Sequence, residues 1–295
     1  MSQSSPVFRW SKSVEESELD WWETEFTVAG VSFVSEKTIN RKRCKLMVYD
    51  PDRSFCERLR EKYGGGVAEV REEDWSPAAT DGSTGLIRIR DRFLVTESDD
   101  ESVLDSLRSE NPKREILSFP PQLAFGTGFH PTTAGCLRLL ADATQSFYDE
   151  DGWKMLDLGS GTGILAIAAA KLGASSITAL ELDEMALEVA KGNAKRHGIP
   201  EKTARFFSED AVEWVKTPPK TPFQVIAANL FSSLLVEILP HLKDCLAPGG
   251  TIILSGFLTS QTREVVETAR KSGFEIPSFL RRGKWVAASG QLKIA

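Results

Sequence analysis

The stretch from Met155 to Glu181 constrains the fold of this chain more than any other part of the sequence. It begins with Met155–Leu158, a short apolar run of the kind that forms buried parallel strands. Glycines follow at 159, 161 and 163, and then comes the alanine-rich segment Ile164–Leu172, whose composition favours a helix. A strand that leads through a glycine turn into a helix places backbone N–H groups and the positive helix end beside a ligand. The stretch therefore predicts a binding site.

The residues that follow narrow the type of ligand. A second apolar run, Ile177–Leu180, ends at Glu181, about 20 residues beyond the glycines, where a nucleotide-like ribose finds its hydrogen-bond acceptor. The dinucleotide fingerprint G-x-G-x-x-G would need a glycine where this chain has Ile164, which disfavours a nicotinamide oxidoreductase. The spacing G-x-G-x-G after Asp157 instead resembles the first motif of S-adenosylmethionine-dependent methyltransferases. The alternative is a glycine turn that only reverses the chain.

Residues 120–295 alternate strand and helix patterns, which predicts a doubly wound α/β domain. Ligands of such sheets bind outside the carboxyl ends of the strands. Asn229 directly follows the predicted strand Phe223–Ala228, and Asp210 follows Ala204–Phe207, in a position to meet an adenine amino group. The remaining predicted elements are helices at Ala134–Leu140, from Asp183, at Ser232–Leu246 and at Gln261–Gly273, and strands at Thr251–Ser255 and Trp285–Ala288.

A second glycine-containing segment, residues 123–133 (LAFGTGFHPTT), precedes the first of these helices. Gly126 and Gly128 permit unusual backbone angles, and His130 and Thr133 supply polar groups at the helix start. A turn or capping role is favoured for His130 over a catalytic one. No second ligand lies at a matching spacing, so no metal site is expected.

Residues 1–75 show the order β-α-β-β-α-β of a ferredoxin-like α+β domain. The predicted elements are an edge strand Val7–Trp10, a helix Ser13–Phe26 with Ser13 and Glu16 as a capping box, strands Val31–Val34 and Cys44–Tyr49, a helix begun by Asp50 and Pro51 and ended by Gly64–Gly66, and a strand Val67–Val70. Trp22 is expected in its core. Residues 76–119 are predicted to be a connector with one strand, Leu86–Val95, and a charged surface helix or loop, Glu97–Glu115.

Composition limits the partners and the compartment. The net charge of -6 and the isoelectric point near 5.4 argue against a long-range field that attracts nucleic acid. The four cysteines show no paired spacing, which favours reduced thiols. The polar start of the chain is not a secretory signal, and no apolar run reaches membrane-spanning length. We expect a cytoplasmic monomer that does not bind membranes.

Four separated motifs resemble one family. AFGTGFHPTT, LDLGSGTGILAIAAAKLGA, ELD and AANL occur in the order and spacing of the ribosomal protein L11 methyltransferases, over about residues 120–295, and GKWV also fits. The N-terminal unit ending in EEDW resembles that family's substrate-recognition domain. The resemblance implies a doubly wound Rossmann-like methyltransferase domain preceded by a small ferredoxin-like domain. It also implies methyl transfer from S-adenosylmethionine to lysine side chains and the α-amino group of a ribosomal protein.

The resemblance further implies cofactor contacts at Thr133, Gly159, Glu181 and Asn229, with Glu181 in place of the commoner aspartate. The predicted cofactor site also includes Phe125, Gly126, Thr127, Gly161, Gly163 and Asp210. Asn229 is the predicted catalytic residue, and the alternative is that it caps the following helix. Two segments depart from the family pattern: SFPPQ before LAFGTG, and SPAATDGSTG after EEDW. Methylation of another protein or of nucleic acid therefore stays an alternative, and so does a non-catalytic cofactor-binding module. Nucleic acid is disfavoured because Leu230 stands where the motif N-P-P-Y of nucleic-acid methyltransferases has proline.

Overall fold

A computed structural model describes residues 7–15, 18–28, 31, 34–37, 43–50, 52–70, 85–121, 124–145, 147 and 152–293. The chain divides into two compact units, Met1–Gly82 and Ser83–Ala295. Residues 83–119, where the sequence predicted a connector, therefore belong to the second unit. The EEDW motif lies outside the described residues.

The described residues of the first unit form a four-stranded antiparallel sheet and two helices. Its elements are β1 (Val7–Glu15), α1 (Leu19–Val28), β2 (Val34–Lys37), β3 (Arg43–Asp50), α2 (Arg53–Tyr63) and β4 (Gly66–Val70). The strand order in the sheet is β2-β3-β1-β4, and every neighbouring pair is antiparallel. This is the predicted ferredoxin-like arrangement, in which each helix connects strands that are not adjacent in the sheet.

The start of this unit differs from the prediction. β1 is a central strand, since Trp10 pairs with Val48 of β3 on one side and with Val67 of β4 on the other. Ser13 lies inside β1, so the predicted capping box with Glu16 is wrong; Glu16 itself lies outside the described residues. Trp10 and Val14 are both buried, and residues an even number apart share one face of a strand. The strand alternation of Trp10 and Val14 therefore decided the structure of this segment, and the helical spacing that included Val14 did not.

Two further details concern the helices of the first unit. Asp52 caps α2 by accepting a hydrogen bond from Ser54 N (2.8 Å), whereas the predicted cap, Asp50, ends β3. Gly64 ends α2 with φ of 72°, as expected from its left-handed freedom. Trp22 is 5% exposed and packs against Trp10 at 6.3 Å between ring centroids, which confirms its predicted place in the core.

The second unit begins with a three-stranded sheet. It comprises β5 (Leu86–Ile89), β6 (Phe93–Thr96), α3 (Glu101–Glu110) and β7 (Glu115–Ser118), with β5 antiparallel and β7 parallel to β6. The single strand predicted at Leu86–Val95 is therefore two strands, joined by a turn in which Arg90 has φ of 51°. The charged segment forms the surface helix α3, which buries only Leu104 and Leu107.

A seven-stranded sheet forms the body of the second unit. Its elements are α4 (Pro131–Ala143), β8 (Trp153–Leu158), α5 (Ile164–Lys171), β9 (Ala174–Glu181), α6 (Glu184–Arg196), β10 (Ala204–Ser208), α7 (Ala211–Val215), β11 (Phe223–Asn229), α8 (Ser232–Leu242), β12 (Leu246–Leu258), α9 (Thr262–Lys271), β13 (Phe274–Arg282) and β14 (Trp285–Leu292). The strand order is β10-β9-β8-β11-β12-β14-β13. The first five strands are parallel, and β14 is antiparallel to both of its neighbours.

This order confirms the doubly wound fold and locates its ligand crevice. The chain moves outward from β8 through β9 to β10, then returns to place β11 on the other side of β8. Two buried clusters cover opposite faces of the sheet, one containing Met155 and the other Leu156 and Leu158. A reversal of strand order opens a crevice at the carboxyl ends of the strands. Among the described residues, no helix is both long and apolar enough to cross a membrane.

Candidate active site

The backbone of the loop between β8 and α5 strongly favours glycine at three positions. Gly159, Gly161 and Gly163 have φ of 73°, 52° and 78°, in the left-handed region that other residues rarely adopt. A Cβ on Gly161 would lie 2.3 Å from the carbonyl oxygen of Phe125, and one on Gly159 would lie 2.4 Å from Leu230 Cδ2. The loop is thus closely packed between the Phe125 segment and the residue that follows β11.

Glu181, at the end of β9, is joined to this loop. Its Oε2 accepts a hydrogen bond from the backbone N–H of Gly161 (2.8 Å), and its Oε1 accepts one from Asp183 N (3.1 Å). Each carboxylate oxygen has a second lone pair and therefore keeps acceptor capacity. Leu182 and Met185, which follow Glu181, expose more than 60% of their surface, an unusual amount for large apolar side chains.

Asn193 also holds the loop, and sequence analysis missed it. This buried side chain on α6 donates from Nδ2 to the carbonyl oxygen of Thr162 (2.8 Å), while Thr162 N donates to Phe125 O (3.0 Å). Asn193 lies beside Ala190 and Ala194 on the inner face of α6. A single amide on an otherwise apolar helix face was the available signal, because such a group needs a buried partner.

Asn229 is the last residue of β11. Its Nδ2 donates to Thr133 Oγ1 at 3.4 Å, and Thr133 lies buried in the first turn of α4. The amide oxygen, Oδ1, is buried and has no hydrogen-bond partner among the described residues. The alternative role as a helix cap is wrong, because the N-cap position of α8 belongs to Phe231. A buried, unpaired amide oxygen at a strand tip is an acceptor that a ligand can use.

Two further unpaired polar side chains lie in the same part of the chain. Asp157 in β8 is fully buried, and neither of its carboxylate oxygens makes a hydrogen bond of acceptable geometry within the described residues. Burial raises the pKa of Asp157 to about 7; the charge of Glu181 adds to the rise, and the backbone amide of Ala166 opposes it. Ser160 Oγ, in the loop, is also buried without a partner.

His130 connects the Phe125 segment to the hairpin of β13 and β14. It is the N-cap of α4, where its Nδ1 accepts from Thr132 N (3.4 Å), as the capping interpretation predicted. Its ring packs edge-on against Phe125 and Trp285, at centroid distances of 5.3 and 4.8 Å. Burial lowers its pKa, and the charge of Lys284 lowers it further. His130 is therefore neutral at pH 7.

Comparison with known proteins identifies the family. A sequence model described as ribosomal protein L11 methyltransferase matches residues 16–293. A ribosomal protein L11 methyltransferase of Brucella suis is 33% identical over 298 residues, which cover 97% of this chain and 99% of that protein. A crystal structure of a ribosomal protein L11 methylase from Lactobacillus delbrueckii is 26% identical, with a TM-score of 0.58, and covers 72% of this chain and 100% of that one.

The chain belongs to the ribosomal protein L11 methyltransferase family. The match confirms the resemblance, both over residues 120–295 and in the N-terminal unit. It also confirms the predicted type of enzyme, a protein methyltransferase.

The structure places the predicted site residues in different surroundings within this member of the family. The structure brings Phe125, Gly161 and Glu181 together around the loop, and Thr133 and Asn229 together between α4 and β11. Gly126 has φ of 110° and Thr127 is partly exposed beside it. Asp210 is exposed and caps α7 by accepting from Val212 N (2.7 Å), a structural role that the sequence did not predict. The described residues contain no cluster of three or more metal-ligating side chains.

Proposed function

We propose that this chain transfers methyl groups from S-adenosylmethionine to amino groups of ribosomal protein L11, lysine side chains among them. The observation that carries the proposal is the amide oxygen of Asn229, which has no hydrogen-bond partner among the described residues. It is buried at the tip of β11, and Thr133 fixes the amide so that Oδ1 is the end left without a partner. The substrate is the one in the names of the relatives.

The residues present fit this cofactor. S-adenosylmethionine supplies, when bound, a methyl group on a positively charged sulfur beside a ribose and an adenine. Glu181 retains lone pairs for ribose hydroxyls, and the exposed Leu182 and Met185 offer an apolar surface to a base. Ser160 Oγ and the carboxylate of Asp157 are polar atoms without partners, and an ionised Asp157 would favour a cation. The proposed site is completed by the glycine loop, Thr133, Asn229 and the Phe125–Thr127 segment. Asp210 already accepts a hydrogen bond as the cap of α7, so it would contribute only its remaining lone pairs.

Asn229 is the proposed orienting residue for the attacking amine. A lysine amine has a reference pKa of about 10.4 and must be neutral to act as a nucleophile. The charged ammonium form of a nearby amine is disfavoured by the positive sulfur of the cofactor when it is bound. An amine N–H can then donate to Asn229 Oδ1, which directs the nitrogen lone pair. His130 is not proposed as the base, because its Nδ1 already accepts from Thr132.

The first unit is proposed to hold the protein substrate. It has its own core and contains no counterpart of the glycine loop in its described residues. A separate binding unit raises the effective concentration of one target amine after another at the transfer site. We further propose a monomer that works in the cytoplasm. The four cysteines are buried and form no disulfide, which agrees with a reducing compartment.

A transfer assay tests the proposal. The purified chain is incubated with S-adenosylmethionine and recombinant L11, and the L11 is analysed by peptide mass spectrometry. We expect methylated lysines or a methylated N-terminus with the wild-type chain and about 100-fold less product with Asn229→Ala. If L11 stayed unmodified while calorimetry showed cofactor binding, the chain would be a non-catalytic binding module. Methylation of a different protein in a ribosomal extract would show that L11 is not the substrate.

A further inference from the structure

Four arginines form a cationic face on the second unit: Arg88 of β5, Arg90 in the following turn, Arg138 of α4 and Arg282 of β13. Arg138 is half-buried, and its guanidinium donates to two backbone carbonyls of the described residues, Ala134 O at 3.1 Å and Arg88 O at 3.4 Å. Burial lowers the pKa of Arg138, and the positive charges of Arg282 and Arg90 lower it further. The bond to Arg88 O joins Arg138 to the strand that leads into the Arg90 turn.

Acidic side chains compensate little of this charge. Asp142 forms a bidentate pair with Arg90, at 2.8 and 2.5 Å. Neither Arg138 nor Arg282 pairs with a carboxylate in the part of the chain that the structure describes. Arg282 shares a strand face with Leu280, which packs on the cluster that contains Leu137. The exposed Arg282 is therefore directed to the α4 side of the sheet, in a protein whose total charge is -6.

The cationic face adjoins the candidate active site. α4 carries both Thr133, which contacts Asn229, and Arg138, and five helical residues correspond to about 7.5 Å along the axis. On the other side, Arg282 is paired across the hairpin with Trp285, whose ring contacts His130. The cationic face therefore shares α4 and the hairpin of β13 and β14 with residues of the candidate active site.

We propose that Arg138 and Arg282, with Arg88 and Arg90 beside them, bind carboxylate side chains of the protein substrate next to the amine that is methylated. This inference rests on the proposed function. The guanidinium fork matches a carboxylate in two parallel hydrogen bonds. Nucleic acid is the less suitable partner, because the net negative charge of the enzyme repels an extended polyanion. The face would set which amines are accepted.

Two measurements on the full chain test the inference separately from the proposed function. The first is the fluorescence anisotropy of a labelled hexaglutamate peptide, which requires no methyl transfer. The second is the KM and kcat for L11. The variants are Arg282→Glu, Arg138→Met and the control Arg205→Glu, which reverses an exposed charge on β10 at the opposite edge of the same sheet.

We expect Arg282→Glu and Arg138→Met to weaken peptide binding, and to raise KM for L11, by about tenfold, with kcat and cofactor affinity unchanged. The difference should vanish near about 0.5 M salt, where charges are screened within a few ångströms. Equal peptide binding by wild type and Arg282→Glu would overturn the inference, as would an equal effect of Arg205→Glu. Preferential binding of a labelled oligouridylate would assign the face to RNA instead. A wild-type chain that binds the peptide but does not methylate L11 would refute only the proposed function.

Discussion

Single residues at the strand tips separate binding and transfer from folding, and Asn229 is the clearest example. The only hydrogen bond described for its side chain is long, 3.4 Å to Thr133, so Asn229→Ala should shift the melting temperature by no more than a few degrees. Methyl transfer should fall about 100-fold, since the amine loses its orienting acceptor. Thr133→Val, which leaves the amide oxygen in place, serves as the control and should have a smaller effect. Transfer at nearly wild-type rate by Asn229→Ala would remove Asn229 from the mechanism.

Asp157 makes the stability of the cofactor-free chain depend on pH. Its pKa of about 7 lies above the value near 3.9 of an unfolded chain, so the folded state binds the extra proton between these values. The stabilisation that the protonated Asp157 provides is fully present below about pH 4. It is lost as the pH rises through 7, and the free energy of unfolding falls by at most about 4 kcal/mol. Asp157→Asn should therefore raise the melting temperature more at pH 8 than at pH 5. Scanning calorimetry at pH 5 and pH 8 measures both melting temperatures. An equal shift at the two pH values would contradict the raised pKa of Asp157.

Among the structural elements, the loop between β8 and α5 is the one whose shape depends on glycine. We expect Gly161→Ala to displace the loop from Phe125 O and to destabilise the chain by about 1–3 kcal/mol, because the site combines positive φ with a 2.3 Å contact. Cofactor binding should be lost with it.

Gly192→Ala is the matched control for this substitution. Gly192 lies in α6, lacks positive φ, and a Cβ there would meet nothing within 4 Å. Alanine should stabilise the helix at that position by up to about 1 kcal/mol. Denaturant unfolding and calorimetric titration of both variants provide the comparison. Normal cofactor affinity in Gly161→Ala would show that the loop tolerates a side chain.

At the scale of the whole molecule, the two units should divide binding of substrate from transfer. The small sheet of β5, β6 and β7 contributes Phe93, Val95 and Leu117 to the same buried cluster as Met155. A chain that begins at Ser83 should therefore fold and bind S-adenosylmethionine but fail to methylate L11. A chain that begins at Pro120 should not fold, since that cluster would lose part of its apolar surface.

The two truncations are compared by thermal unfolding, cofactor titration and the L11 assay. Equal methylation of L11 by the chain from Ser83 and by the full chain would exclude a recognition role for the first unit. A soluble, cofactor-binding chain from Pro120 would show that β5–β7 are dispensable for the fold.

The sequence by itself determined the local and repetitive features of this protein. The glycine loop, the strand-tip positions of Glu181 and Asn229 and the doubly wound class follow from residue spacing, since turns and amphipathic periods are local properties. The family followed from the resemblance of four motifs to known sequences. The ends of helices and strands were less well predicted where apolar residues fitted both a helical and a strand spacing, as in β1. They were also less well predicted where a tight turn interrupted a strand pattern, as at Arg90.

Only the tertiary structure decided which distant residues meet. Asn229 and Thr133 are 96 positions apart, and the amide that holds Thr162 comes from Asn193, 31 positions later. Asp157 has a raised pKa because it is deeply buried. One of the two positive charges that act on Arg138 is that of Arg282, which lies in β13, a strand that the sequence did not predict. These properties depend on the packing of elements against each other, and packing brings together residues that no local pattern connects.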